Sequence, residues 1–151
     1  MNLLDSDFRN KVTMQNKVIA AITITGFQCS HDEITKIIKI QPTRIWRLND
    51  PVVASRPNAR RQKENGWKFE VQISNNAADS TLWLSEALKI LTATLAENAN
   101  NFKDLPPLAS VEISCYLRIN KESMPEIFFT NDLLKLIASI NASIDLDIVC
   151  D

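Results

Sequence analysis

Glycine and histidine are scarce in this chain: its 151 residues include two glycines and one histidine. Two isolated glycines cannot build a G-x-S-x-G nucleophile elbow, a G-x-x-x-x-G-K phosphate loop or a G-x-G-x-x-G dinucleotide turn, and none of these patterns occurs. With one histidine and none of these motifs, the usual nucleotide and triad machinery is missing, so the sequence reads as non-enzymatic, with no cofactor. Cysteine is also sparse. Cys29, Cys115 and Cys150 are odd in number and widely spaced, which suits neither a disulfide framework nor a Cys-x-x-Cys metal clip. They read as reduced thiols in a cytoplasmic protein. The opening "MNLLDSDFRNK" lacks a basic segment followed by an apolar one, and the longest apolar run, "VIAAITI", is far too short to cross a bilayer. Neither export nor a membrane span is expected. A basic excess is missing as well: the net charge is -1, which argues against wholesale nucleic-acid binding.

What is present is a domain-sized chain, 45% hydrophobic, enough for one core. Residues 1–16 are polar and without period, an irregular N-terminal arm; 17–151 read as one domain. "VIAAITIT" is β-branched and ends at Gly26, a strand followed by a turn. In "SHDEITKIIKI", Ser30 and Glu33 have capping-box spacing and Ile34, Ile37 and Ile38 share a helical face, so a short helix is predicted, ended by Pro42. "WKFEVQIS" alternates, with Trp67, Phe69, Val71 and Ile73 on one side. Leu84, Leu88, Leu91 and Leu95 mark a helix over 80–98. "VEISCYLRI" alternates again, "NKESMP" turns, and "EIFFT" returns as a strand. "NDLLKLIASIN" supplies a helix with Leu133, Leu136, Ile137 and Ile140 inward, and "ASIDLDIVC" closes as a strand. The fold class is α+β: a mainly antiparallel five-stranded sheet with helices on one face, built as a ferredoxin-like βαββαβ core preceded by an extra β-α unit.

One stretch stands apart. Residues 42–66 form a long connection with three prolines and no period, and such connections in compact domains are usually functional or mobile. Arg44 to Lys68 carries seven cations against two acids, a local +5. Arginine forks and tryptophan are over-represented at binding hot spots. Arg44, Trp46, Arg47, Arg56, Arg60, Arg61 and Lys63 are therefore the candidate partner-binding residues, for an unknown and acidic protein partner. Nucleic-acid or phosphate-ligand binding by the same cations is the alternative. Trp67 shares a face with Phe69 and Val71 and reads as core.

Two other constellations are weaker. Asp145 and Asp147 share a strand face that Glu70 and Glu112 could join, the pattern of a carboxylate or metal-dependent hydrolase; alternation alone also explains them as solvated positions. Cys29 and His31 are zinc-type ligands, but the spacing matches no known clip and no metal site is expected.

Several segments together resemble the uncharacterised, mostly bacterial family called domain of unknown function 4279: "ITITG" before "DEITKIIKI", then "QPTRIWRLND", the lone Trp67 opening a strand, and the ending "IFFTNDLLKLIASINASIDLDIVC". The resemblance spans about residues 18 to 150. It departs from the usual pattern at "FQCSHD" and in the length of the basic loop. It implies an α+β fold and no established activity or catalytic residues. Small bacterial proteins of this kind sit near toxin systems, so it also implies a protein-binding module of immunity type.

Overall fold

The computed structural model describes residues 16–56, 58–74, 83–119 and 126–150. All but the last residue of the expected N-terminal arm, the start of the helix over 80–98 and the whole "NKESMP" turn lie outside them. In chain order the elements are β1 (Lys17–Thr25), α1 (His31–Ile38), β2 (Arg44–Trp46), β3 (Gly66–Ser74), α2 (Trp83–Ala96), a 3-10 turn (Ala99–Asp104), β4 (Ser110–Ile119), α3 (Asn131–Ser139) and β5 (Ser143–Cys150).

The sheet runs β2-β3-β1-β4-β5. β1 lies antiparallel between β3 and β4, β2 is antiparallel to β3, and β4 and β5 are parallel. It is a five-stranded sheet as expected, but a mixed one, and its strands are not all those predicted. Glu126–Thr130, the expected "EIFFT" strand, forms no ladder. Its Thr130 is already the N-cap of α3, accepting the Leu133 N–H at 3.2 Å, and Phe128 projects into solvent. The run is spent on entering the helix, so the return strand is β5, which reaches β4 by a parallel crossover. The fifth strand is instead the three-residue β2. β3-α2-β4 is likewise a crossover between parallel strands, split by β1. The ferredoxin-like core expected from Trp67 onward is therefore not found there; the βαββαβ succession in this structure is β1-α1-β2-β3-α2-β4, with α3 and β5 added after it.

The register shows why the alternating segments fold as they do. Ile24 lies between Trp67 and Val111, Ile22 between Phe69 and Ile113, Ala20 between Val71 and Cys115, and Val18 between Ile73 and Leu117. These inward side chains join Ile34 and Ile38 of α1, Leu84, Leu88, Leu91 and Leu95 of α2, and Leu133, Leu136 and Ile137 of α3 in one core. Burying such a side chain stabilises by roughly 1.5–3 kcal/mol, which is ample reason for every alternating strand to turn the same way. The opposite face carries Lys68, Glu70, Gln72, Thr23, Glu112, Ser114, Tyr116, Asp145 and Asp147, all half-buried or exposed.

α1 starts as the sequence predicts. The Ser30 hydroxyl accepts from the Glu33 N–H at 3.2 Å and the Ser30 N–H donates to the Glu33 carboxylate at 2.8 Å. That N–H, with the Ser30 hydroxyl donating to the same carboxylate at 3.0 Å, holds the Glu33 carboxyl below the usual carboxylate range. The helix does not run to Pro42. It ends at Ile38, because Lys39 turns left-handed at φ 57 and its N–H bonds the Thr35 carbonyl. In a chain so poor in glycine, a lysine takes the position where glycine is favoured.

Candidate functional site

The long connection is folded. After β2 the chain leaves the sheet as a small antiparallel flap: Asn49 N–H donates to the Gln62 carbonyl at 2.9 Å, Gln62 N–H to Asp50 at 2.8 Å and Val52 N–H to Arg60 at 2.9 Å. Pro51 and Arg61 form the bridge between its arms. Its neck is stapled to the body by groups the sequence did not single out. Asn65 accepts from Leu48 N–H through its side-chain oxygen at 3.0 Å and donates through its nitrogen to the Phe27 carbonyl at 3.2 Å. The Asp50 carboxylate takes the Arg47 N–H at 2.7 Å.

His31 is part of the same staple. Its Nε2 lies 2.8 Å from the Trp46 carbonyl, and since a carbonyl can only accept, the ring proton sits on Nε2. Phe27 stacks edge-on against the imidazole at 5.2 Å. His31 is thus half-buried at a joint, not a solvated first-turn residue. Among the described residues no group of three or more histidines, cysteines and carboxylates could hold a metal.

Both glycines are explained at this corner. Gly26 has φ +77, and a Cβ there would come within 2.7 Å of the Leu108 carbonyl oxygen. Gly66 stands directly across from Trp46 in the ladder, and a Cβ at 66 would lie inside the indole ring. The indole therefore lies flat over Gly66 on the open side of the sheet, with the Arg44 guanidinium 5.6 Å from its centroid. An asparagine and a glycine side by side at 65 and 66 read as a turn signal. Here they are a staple and a strand residue.

Of the seven candidates, the structure brings Trp46, Arg60, Arg61 and Lys63 around one hollow of about 320 Å³, completed by Thr25, Val52, Gln62 and Glu64. Arg61 also donates to the Asn49 carbonyl at 3.2 Å. Arg44 reaches back to Val52 from β2. Arg47 is exposed at the neck and Arg56 near the tip, away from the hollow. What sequence reasoning missed is apolar: Leu48, Val52 and Val53 are 53%, 37% and 44% exposed on the same flap. No periodicity marks them, because a flap held by staples has no buried face to impose one.

The carboxylates are spread out. Asp145 pairs with Ser114, and Glu70 lies three strands away in the same row, about 14 Å at the usual strand spacing. Glu70 is paired instead with Lys68 at 3.2 Å. The open face thus carries Glu112, Asp145 and Asp147 on the β4 and β5 side, with Arg118 of β4 on the same face, and its exposed cations gather toward β2 and the flap.

The thiols are also separated. Burial pushes the Cys115 thiol up to about 11, with the Asp145 charge adding to it. Burial and the nearby Glu33 raise Cys29, and Cys150 is exposed. Because the thiolate is the reactive form, a disulfide reagent at pH 8 should modify Cys150 first, Cys29 more slowly, and Cys115 only after denaturation. Rapid titration of Cys115 in the folded chain would contradict this burial.

These features define an α+β domain with a mixed sheet, helices packed on one face and a basic flap at one corner. The chain belongs to the family described as Domain of unknown function (DUF4279), whose model matches residues 16–151. No curated protein and no solved structure matches it. Among the described residues no helix is long and apolar enough to cross a membrane.

Proposed function

We propose that this is a non-catalytic protein-binding domain whose flap seizes an acidic surface on its partner. The supporting observation is the mixture that the flap presents: Arg47, Arg56, Arg60 and Lys63 stand exposed among Leu48, Val52 and Val53. Aliphatic side chains contribute nothing to phosphate contacts, whereas protein interfaces combine an apolar centre with a polar rim. The hollow beside Trp46 offers an acidic side chain of the partner two or three cations and an aromatic wall. The local positive charge would mainly raise the association rate. In its narrower form, taken from the family resemblance, the partner is a toxin that the domain neutralises.

The test is charge reversal on the flap. Arg56→Glu, Arg60→Glu and Lys63→Glu are exposed substitutions expected to change stability by about 0.5 kcal/mol or less each. The triple variant should lose the partner that the unaltered chain retains on an affinity column, and Leu48→Ser with Val53→Ser should weaken the same capture. Equal retention by the triple variant would remove the flap as the site. A single-stranded oligonucleotide should give a flat titration at low salt; binding that falls steeply with salt would decide for nucleic acid instead. For the toxin form, co-expression with an adjacent toxin gene should restore growth, and the triple variant should lose that rescue.

A further inference from the structure

The second surface is at the far edge of the sheet. β5 closes the sheet beyond β4 and pairs with no other strand among the described residues. It is eight residues long and every residue from Ser143 to Asp147 is exposed. Natural sheets protect free edges with short strands, prolines, bulges or charged side chains, lysine above all, and the charges of this edge are the two aspartates Asp145 and Asp147. β2, the opposite edge, is short and sits beside the stapled flap. "SIDLDIVC" has neither proline nor lysine.

Its two sides differ. Ile144 and Leu146, 41% and 37% exposed, lie on the helix side in line with Ile113 and Cys115. Asp145 and Asp147 lie on the open side beside Ser114 and Tyr116. The core stops short of this strand, since only Ile148 packs against it.

We propose that β5 is a strand-addition site for an extended segment of another protein whose side chains alternate apolar and cationic. Such a segment would continue the sheet by main-chain hydrogen bonds, lay its apolar residues on Ile144 and Leu146, and set its cations against Asp145 and Asp147. The charge pattern favours this occupant over a second copy of the chain paired about the middle of the exposed run. An antiparallel two-fold pairing centred on Leu146 places Asp145 of one copy opposite Asp147 of the other, twice, and like charges directly opposed are destabilising. The site is independent of the flap, whose charge has the other sign.

A fluorescence-polarisation titration of the full chain tests it with labelled peptides: one alternating lysine and isoleucine, one with glutamate for lysine, one of the first composition with lysines and isoleucines in separate blocks, and one alternating but N-methylated on the pairing edge. The alternating cationic peptide should bind at least tenfold tighter than the other three, and Asp145→Lys with Asp147→Lys should transfer the preference to the glutamate peptide. Reversal of Arg56, Arg60 and Lys63 should leave these affinities unchanged, which separates this site from the flap. Equal binding of the blocked or N-methylated peptide would reduce the effect to charge alone and overturn strand addition, as would no binding. A dimer of the unaltered chain in sedimentation that Leu146→Lys dissolves would overturn it in favour of self-pairing.

Discussion

Gly66→Ala should cost the fold about 1–3 kcal/mol, the range of an overpacked interior position, and the loss should vanish when Trp46 is shortened to alanine in the same chain. Gly66 is buried in β3, opposite Trp46, and its constraint is space: a Cβ would lie within the indole. A strand glycine is otherwise a weak point, less stable than alanine by roughly 0.5–1 kcal/mol. Once the indole is gone, alanine at 66 should stabilise the Trp46→Ala chain, so the effect of one substitution changes sign with the other. Denaturant unfolding of the four chains closes the cycle. In the Gly66→Ala chain the displaced Trp46 would also strain the His31 contact to its carbonyl and open the hollow, so its fluorescence should shift and partner capture should weaken. A neutral Gly66→Ala in the unaltered background would show that the indole does not rest there.

Trp67→Ala should be more damaging, about 3–5 kcal/mol by the range for large-to-small aromatic substitution. Against a total of about 5–15 kcal/mol for a typical domain, that brings the chain close to unfolding. Trp67 is fully buried, pairs with Ile24 and donates its indole N–H to the Thr35 hydroxyl at 3.0 Å, tying β3 to α1. Thr35→Val tests the polar half of that role. It leaves a buried donor without its acceptor and should cost about 1–3 kcal/mol, while the same change in a Trp67→Phe chain should cost much less, because no N–H is left to orphan. Equal costs in both backgrounds would mean that the bond contributes nothing.

The two tryptophans show what local pattern conveys. Trp67 alternates with Phe69, Val71 and Ile73, and that alternation alone placed it in the core. Trp46 sits in "RIW", three residues with no period, so neither its strand nor its partner could be anticipated. The capping box at Ser30 and Glu33, the leucine stripe of α2, the β-branched run of β1 and the alternation of β3, β4 and β5 were legible for the same reason as Trp67: each depends on neighbours a few residues away. "EIFFT" misled because a five-residue apolar run records affinity for an interior without naming a strand partner, and its Phe128 is 59% exposed. The flap was legible as a charged stretch and illegible as a structure. Its staples join Leu48 to Asn65 and Asn65 to Phe27, 17 and 38 residues apart.

The amino-acid order by itself thus determined the α+β class, the positions of most strands and helices, which side of each faces the core, and where positive charge gathers. The tertiary structure alone decided that β4 and β5 run parallel, that Gly66 is reserved for an indole, that the basic loop is a pinned flap, and that the acidic strand ends up as the edge of the sheet among the described residues. Periodicity is set by contacts within a turn or two of chain and survives in one dimension. Strand order, staples and edges are set by which distant segments meet when the core closes, and that choice is made by the summed packing of the whole sheet rather than by any segment within it.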